Sequence, residues 1–154
     1  MSTMKRVGRL AVLASAWAVA LMVWGCGTEH DLSPANLKLE IRSGRYVYGP
    51  WDDFSGTLTF TNKTRRRIDA EFPSLGQYRI DFYDSTGVRQ RMVFPGAQYP
   101  AVSHLELEPL GTRVETLDFP LSCDEDTIPL GPYRVRAWVE LHEDIYSETT
   151  IEVR

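Results

Sequence analysis

The chain has 154 residues and a mass of 17.5 kDa, with 43% hydrophobic and 25% charged side chains and a formal net charge of −4. That describes one ordinary globular domain and excludes a disordered or fibrous chain. Lys5, Arg6 and Arg9 are the only charged residues before position 26, so the remainder holds 14 basic against 21 acidic side chains, a formal charge of −7; this balance argues against nucleic acid, whose phosphates need a basic face to release their counterions, and against electrostatic attachment to an anionic lipid surface.

The first element is a targeting signal. A basic segment, Met1 to Arg9, precedes a 15-residue apolar run from Leu10 to Trp24, interrupted only by Ser15. As a helix rising ~1.5 Å per residue it falls short of the ~20 residues that span a bilayer, so it reads as the apolar region of a secretory signal. Val23-Trp24-Gly25-Cys26 closes it. A small residue before a lone cysteine, with an aliphatic residue three positions back, resembles the lipobox of bacterial lipoproteins, whose cysteine receives a diacylglyceryl thioether and becomes the new N-terminus. The alternative is an ordinary cleaved signal, against which stands the lack of an A-x-A-type small-residue pair. Two or more acyl chains on Cys26 would hold the chain at a membrane stably, where one would not. The division expected is a signal peptide over 1–25, a lipidated cysteine with a flexible polar spacer over 26–35, and one domain over 36–154. With Gly27 after the cysteine and no aspartate there, the location expected is the cell envelope outside the cytoplasm, at the outer membrane if the envelope has two.

From Leu37 the hydrophobic period is two. Leu37, Leu39 and Ile41 alternate with Lys38, Glu40 and Arg42; Leu58 and Phe60 with Thr57, Thr59 and Thr61; Tyr78, Ile80 and Phe82 with Arg79, Asp81 and Tyr83. The pattern returns in Tyr133, Val135, Ala137, Val139 and Leu141 against Arg134, Arg136, Trp138 and Glu140, and again in Thr149, Ile151 and Val153. Each segment predicts a half-buried strand with its polar set in solvent. Turn residues separate them at Asn62-Lys63, Pro73 to Gly76, Asp84 to Gly87, Pro109 to Gly111 and Pro129 to Pro132. The fold class expected is all-β, an immunoglobulin-like antiparallel sandwich of about seven to nine strands.

Leu58 to Thr64, Ile68 to Phe72 and Gly76 to Val88, followed by Leu105 to Gly111 and Ile128 to Val135, resemble the bacterial intracellular proteinase inhibitor (BsuPI-type) family over roughly residues 37–153. The resemblance implies a noncatalytic sandwich that occupies a subtilisin-like serine protease; it assigns no inhibitory residue. Arg79 stands where family members tend to carry an acid, Leu75 adds a residue to the preceding turn, and a family tryptophan is absent near Asp118 and Phe119.

The residues themselves assign no catalytic role. His30, His104 and His142 fall in no catalytic motif, and Gly-x-Ser-x-Gly, His-Glu-x-x-His and phosphate-loop patterns are absent. If Cys26 is acylated, Cys123 has no intramolecular partner, and Asp124, Glu125 and Asp126 beside it raise rather than lower a thiol pKa. Asp52-Asp53 and Asp124 to Asp126 offer oxygen donors without EF-hand spacing, so no metal and no cofactor are expected. Arg65-Arg66-Arg67 could dock on anionic lipid or lipopolysaccharide, but three charges on a domain of −7 favour a solvated hairpin corner; Tyr46, Tyr48, Trp51 and Phe54 read as core fillers under a connection rather than a recognition surface, and Asn62-Lys63-Thr64 as a turn. The candidate protease-binding loop is Phe94 to Pro100, where Pro95 and Pro100 restrict the backbone and Phe94, Gln98 and Tyr99 offer side chains to an extended cleft; its bland alternative is a crossover between sheets. The function expected is a membrane-anchored binding domain acting on a serine protease. A structural or adaptor module that holds another envelope protein or a polysaccharide is the alternative.

Overall fold

The computed structural model describes residues 32–154 apart from 75, 95–100 and 123–126. The described residues form ten strands and no helix: β1 (Leu37–Ser43), β2 (Val47–Tyr48), β3 (Asp53–Asn62), β4 (Ile68–Phe72), β5 (Tyr78–Tyr83), β6 (Arg89–Val93), β7 (Ser103–Leu107), β8 (Thr112–Pro120), β9 (Gly131–Val139) and β10 (His142–Val153). A three-stranded sheet, β1-β3-β8, packs on a five-stranded sheet, β2-β10-β9-β5-β6, and β4 pairs with β7 separately. Every pairing is antiparallel except the short parallel one of β2 with β10. The all-β expectation holds. The strand number exceeds seven to nine because β2 is only two residues long, too short to show a period, and because β4 and β7 make their own ribbon.

The alternation decides which face is buried. Leu37, Leu39 and Ile41 of β1, Leu58 and Phe60 of β3, Ile80 and Phe82 of β5, and Val135 and Ala137 of β9 are all buried between the sheets. Aromatic rings lock the layers together. Phe54 meets Phe82 edge-on at 5.6 Å and stacks with Phe119 at 5.2 Å, while Phe60 of one sheet lies 5.9 Å from Tyr78 of the other. Burial, with the Glu115 carboxylate nearby, pushes the Tyr78 phenol up to about 12. Of the four aromatics read as core fillers, Tyr48 and Phe54 are buried, whereas Tyr46 and Trp51 are exposed.

The edge strands carry inward-pointing charges. Arg113 and Glu115 of β8 pair at 2.5 Å, and Arg91 of β6 donates from Nη1 to the Leu121 carbonyl at 2.9 Å. Charges turned inward on an edge strand oppose pairing with another chain. The outer face of the three-stranded sheet is polar, with Thr57, Thr59 and Thr61 of β3 flanked by Lys38, Glu40 and Arg42 of β1.

The strand directions gather the connections into two ends. Turns 63–67, 108–111 and 140–141 lie at the end where β1 begins; the Asp84 to Gly87 turn, Gly131 and β2 lie at the other. The fold also starts earlier than position 36. Leu32 is buried in the core, and the Asn36 and Leu37 amides donate to the Ser33 carbonyl at 3.0 and 2.9 Å, so the last part of the expected spacer belongs to the domain.

Between β5 and β6 the turn is fixed by one carboxylate. Asp84 Oδ1 accepts from the Thr86 amide at 2.8 Å, the Thr86 hydroxyl at 2.6 Å and the Val88 amide at 3.0 Å, and Gly87 adopts φ +84°. The Thr86 hydroxyl bond is the main cause that holds the Asp84 carboxyl down at about 2, from an ordinary 3.8. A carboxyl whose folded value is depressed stabilises the fold above its unfolded value and loses that contribution as pH falls through the folded one. Asp84→Ala is therefore expected to lower the melting temperature at neutral pH, with the gap to wild type closing between about pH 4 and pH 2. A gap that stays constant across that window contradicts the assignment.

Candidate functional site

The outer face of the five-stranded sheet is built differently from the rest of the surface. Register sets three rows across β10, β9 and β5: Tyr146, Trp138 and Arg79; Glu148, Arg136 and Asp81; Thr150, Arg134 and Tyr83. Every second residue of each strand points outward, so the sequence places three arginines and three aromatics within one short patch. Met92 of β6 extends the middle row to the sheet edge and is exposed.

Arg136 sits at the centre. Its guanidinium carbon lies 4.8 Å from the ring centre of Trp138, 4.8 Å from Tyr146 and 5.6 Å from Tyr83. Arg79 stands 5.2 Å from Trp138, Arg134 stands 5.5 Å from Tyr83, and the Trp138 and Tyr146 rings are 5.6 Å apart. Cation–π contacts of this kind contribute about 0.5–1 kcal/mol each at exposed sites. Glu148 holds the arginines in place through an ion pair with Arg136 and a second with Arg134 at 3.4 Å.

Beneath the patch lies a buried acid. Asp81 is fully buried, and its Oδ2 accepts from Trp138 Nε1 at 2.8 Å, Arg79 Nε at 3.1 Å and the Tyr83 hydroxyl at 3.2 Å. Its Oδ1 has no hydrogen-bond partner among the described residues. Burial, then the neighbouring Asp81 charge, raises the Tyr83 phenol above its ordinary value. One carboxylate oxygen thus fixes the rotamers of three patch residues, which spares a ligand the cost of ordering them. Alternation predicts Asp81 and Arg79 together in solvent; in the fold Asp81 is buried and Arg79 donates to it, because Trp138 from the neighbouring strand folds over both.

Where Arg134 and Thr150 reach the far end, they line a surface cleft of about 500 Å³ with Tyr46, Tyr133 and the Asp84 to Gly87 turn. Tyr46 is exposed there. The patch and cleft form a continuous surface of aromatic and arginine side chains on rigid strands. Those residue types dominate interface energetics when a partner desolvates them.

Phe94, directly after the β6 edge strand, is exposed, while Gln98 and Tyr99 of the same expected loop lie outside the described residues, as do Cys26, Cys123 and Asp124 to Asp126. His104 faces solvent on β7 with Nδ1 at 3.2 Å from Asp69, and His142 is half-buried. Asp52 is occupied by the Gly49 amide at 2.7 Å and Arg45 at 3.1 Å. Among the described residues no three His, Cys, Asp or Glu side chains converge on a metal position. Sequence reasoning missed the Arg136 patch because Trp138 and Tyr146 are neighbours only through the β9–β10 register, which a bulge between His142 and Tyr146 resets.

No family model matches the chain, and no curated protein matches it. Among solved structures it is similar to a β-glucosidase from Erythrobacter marinus, at 14% identity and a TM-score of 0.51 over 77% of this chain and 15% of that one. It is likewise similar to a β-glucosidase involved in saponin metabolism from intestinal bacteria, at 16% identity and a TM-score of 0.51 over 80% of this chain and 17% of that one. A CARDB domain from Pyrococcus furiosus aligns with 77% of the chain and 94% of its own at 17% identity and a TM-score of 0.42. The chain spans about one sixth of the glucosidases it resembles. At these identities the likeness to the two glucosidases is one of fold alone.

Proposed function

We propose that the chain is a lipid-anchored, noncatalytic binding domain of the bacterial cell envelope that takes a protein partner on the outer face of its five-stranded sheet. The observation that carries this reading is the Arg136 patch. Three arginines and three aromatics are held by Glu148 and the buried Asp81 in one preorganised surface. The resemblance to the intracellular proteinase inhibitor family makes a subtilisin-like serine protease the first partner class. Exposed Phe94, next to the β6 edge that borders the patch, supports that choice. A second reading, an adaptor that holds another envelope protein or a polysaccharide, is favoured by the Trp138 and Tyr146 rings. Their partly exposed faces offer a stacking platform that needs no protease cleft.

Titration of a subtilisin-like protease with the lipidated full chain separates the two. Stoichiometric loss of protease activity, weakened about tenfold or more by Tyr146→Ala, is expected for the first reading. Tyr146 is half exposed and makes no hydrogen bond into the core, so its replacement is expected to lower stability only by its contacts with Arg136 and Trp138, about 1 kcal/mol. Protease activity untouched by the chain, with Tyr146-dependent capture of a nonprotease partner, selects the second. Binding indifferent to both Tyr146→Ala and Arg134→Ala rejects the surface.

A further inference from the structure

The end of the sandwich nearest Leu32, where the chain enters from Cys26, carries a basic turn that the proposed function does not use. Leu32 is buried there, Lys63 Nζ donates to the Pro34 carbonyl, and the Lys63 amide donates to the Asn36 carbonyl at 2.7 Å. The entering chain is thereby fastened against turn 63–67, which holds Lys63, Arg65, Arg66 and Arg67. Arg67 is paired with Glu106 and lies 3.9 Å from Glu108. Arg65 and Arg66 are exposed and form no ion pair among the described residues.

A leucine stands beside them. In the turn from Glu108 to Gly111, closed by the Gly111 amide on the Glu108 carbonyl at 2.9 Å, Pro109 precedes Leu110 with φ +57°. That backbone favours glycine, yet the position carries a leucine that is 63% exposed. The Leu110 amide donates to the Thr64 carbonyl at 2.9 Å, which fixes the apolar tip against the basic turn. A protruding apolar side chain among unpaired arginines is the chemistry of a surface that meets a lipid headgroup layer, where the arginines find phosphates and the leucine finds acyl chain.

We infer that this corner, Lys63, Arg65, Arg66 and Leu110, docks on the anionic phospholipid surface that holds the anchor and so fixes which way the domain faces. The inference rests on the lipoprotein reading of Cys26. Six residue steps separate Cys26 from buried Leu32, a reach of at most about 20 Å at ~3.5 Å per step. β3 alone is ten residues long, about 33 Å, so the far end stands well outside the ~10 Å range of the surface charge. Docking at this corner leaves the cleft beside Tyr46 and the Arg134 and Arg136 rows of the patch facing away from the membrane, with Tyr146, across a groove from Lys63, nearest to it. Of the neighbouring acids, Glu140 lies in the β9–β10 turn, Glu143 of β10 lies 3.7 Å from Arg79, and Asp144 of β10 shares with Lys63 the groove that Pro34, Leu37 and Tyr146 line.

The test uses the full lipidated chain with Cys123→Ser, carrying a fluorophore on Glu108→Cys or on Ser85→Cys at opposite ends. The chain is reconstituted in vesicles of phosphatidylglycerol and phosphatidylethanolamine that contain an acceptor lipid. Mass spectrometry first establishes the acyl chains on Cys26. The expected result is strong energy transfer at Glu108→Cys and weak transfer at Ser85→Cys. That contrast is expected to be lost at ~1 M salt and in Arg65→Glu with Arg66→Glu, since each basic contact shifts the docked-to-undocked ratio roughly fivefold. Acylated, vesicle-bound protein with equal transfer from both ends, or with a contrast insensitive to the two reversals, overturns the inference while leaving the anchor intact. An unacylated Cys26 overturns the anchor itself, and the inference with it.

Discussion

Ile80→Asp is expected to unfold the domain or bring it to the brink. Ile80 lies at zero exposure in the middle of β5, with Ala137 and Val93 opposite it on the flanking strands. An unpaired carboxylate there costs about 3–5 kcal/mol, against a total stability of about 5–15 kcal/mol for a domain of this kind. Val135→Asp on β9, equally buried, is expected to behave alike. The same charge at Val114, exposed on the outer face of edge strand β8, is expected to change stability by no more than about 0.5 kcal/mol. Chemical denaturation of the three variants checks the assignment, and equal losses at all three positions would mean that the buried faces are wrongly assigned.

Asn62→Asp is expected to be nearly as damaging, although it changes no heavy-atom position. Asn62 is fully buried at the end of β3 and serves three segments at once. Its Nδ2 donates to the Arg66 carbonyl at 2.6 Å, the Glu108 carbonyl at 3.0 Å and the Leu107 carbonyl at 3.4 Å, while Oδ1 accepts from the Thr64 amide at 2.9 Å and hydroxyl at 2.8 Å. A carboxylate puts a second acceptor against three carbonyl oxygens, with a cost of about 3–5 kcal/mol. Protonation relieves it, because the acid then has one O–H to donate. The folded-state value of the new acid is thus raised above its unfolded value of ~3.9, so the penalty is smallest below about pH 4 and grows as pH rises. Thermal melts of wild type and variant between about pH 4 and pH 7 are expected to diverge upward in pH. Parallel curves would contradict the hydrogen-bond assignment.

Asn62 and Asp81 show how far periodicity carries. Both fall at alternating polar positions or strand ends, where the pattern says solvent, and both are fully buried. The core faces of β1, β3, β5 and β9 were legible because one set of side chains is apolar throughout. The partners that bury a polar residue come from other strands: Trp138 over Asp81, and the β7–β8 turn over Asn62. Only the pairing register brings those together, and register is not a local property. β8 was weakly marked for the opposite reason, since Arg113 and Glu115 occupy inward positions near its start. The turn at Asp84 could be read from its residues, whereas the positive φ at Leu110 could not, because Gly111 supplies the turn signal one position later. Of the binding loop read from its two prolines, only Phe94 is among the described residues, and it is exposed; the patch at Arg136 depends on two registers and a bulge.

The central claim is that a partner sits on the outer face of the five-stranded sheet. A photo-cross-linking phenylalanine derivative in place of Tyr146, in the lipid-anchored chain in its own cells, measures this most directly, with the same residue at exposed Thr116 on the opposite sheet as control. The account predicts one dominant adduct from position 146, diminished by Arg136→Ala and absent from position 116. No adduct at 146, or equal adducts from both faces, would contradict it.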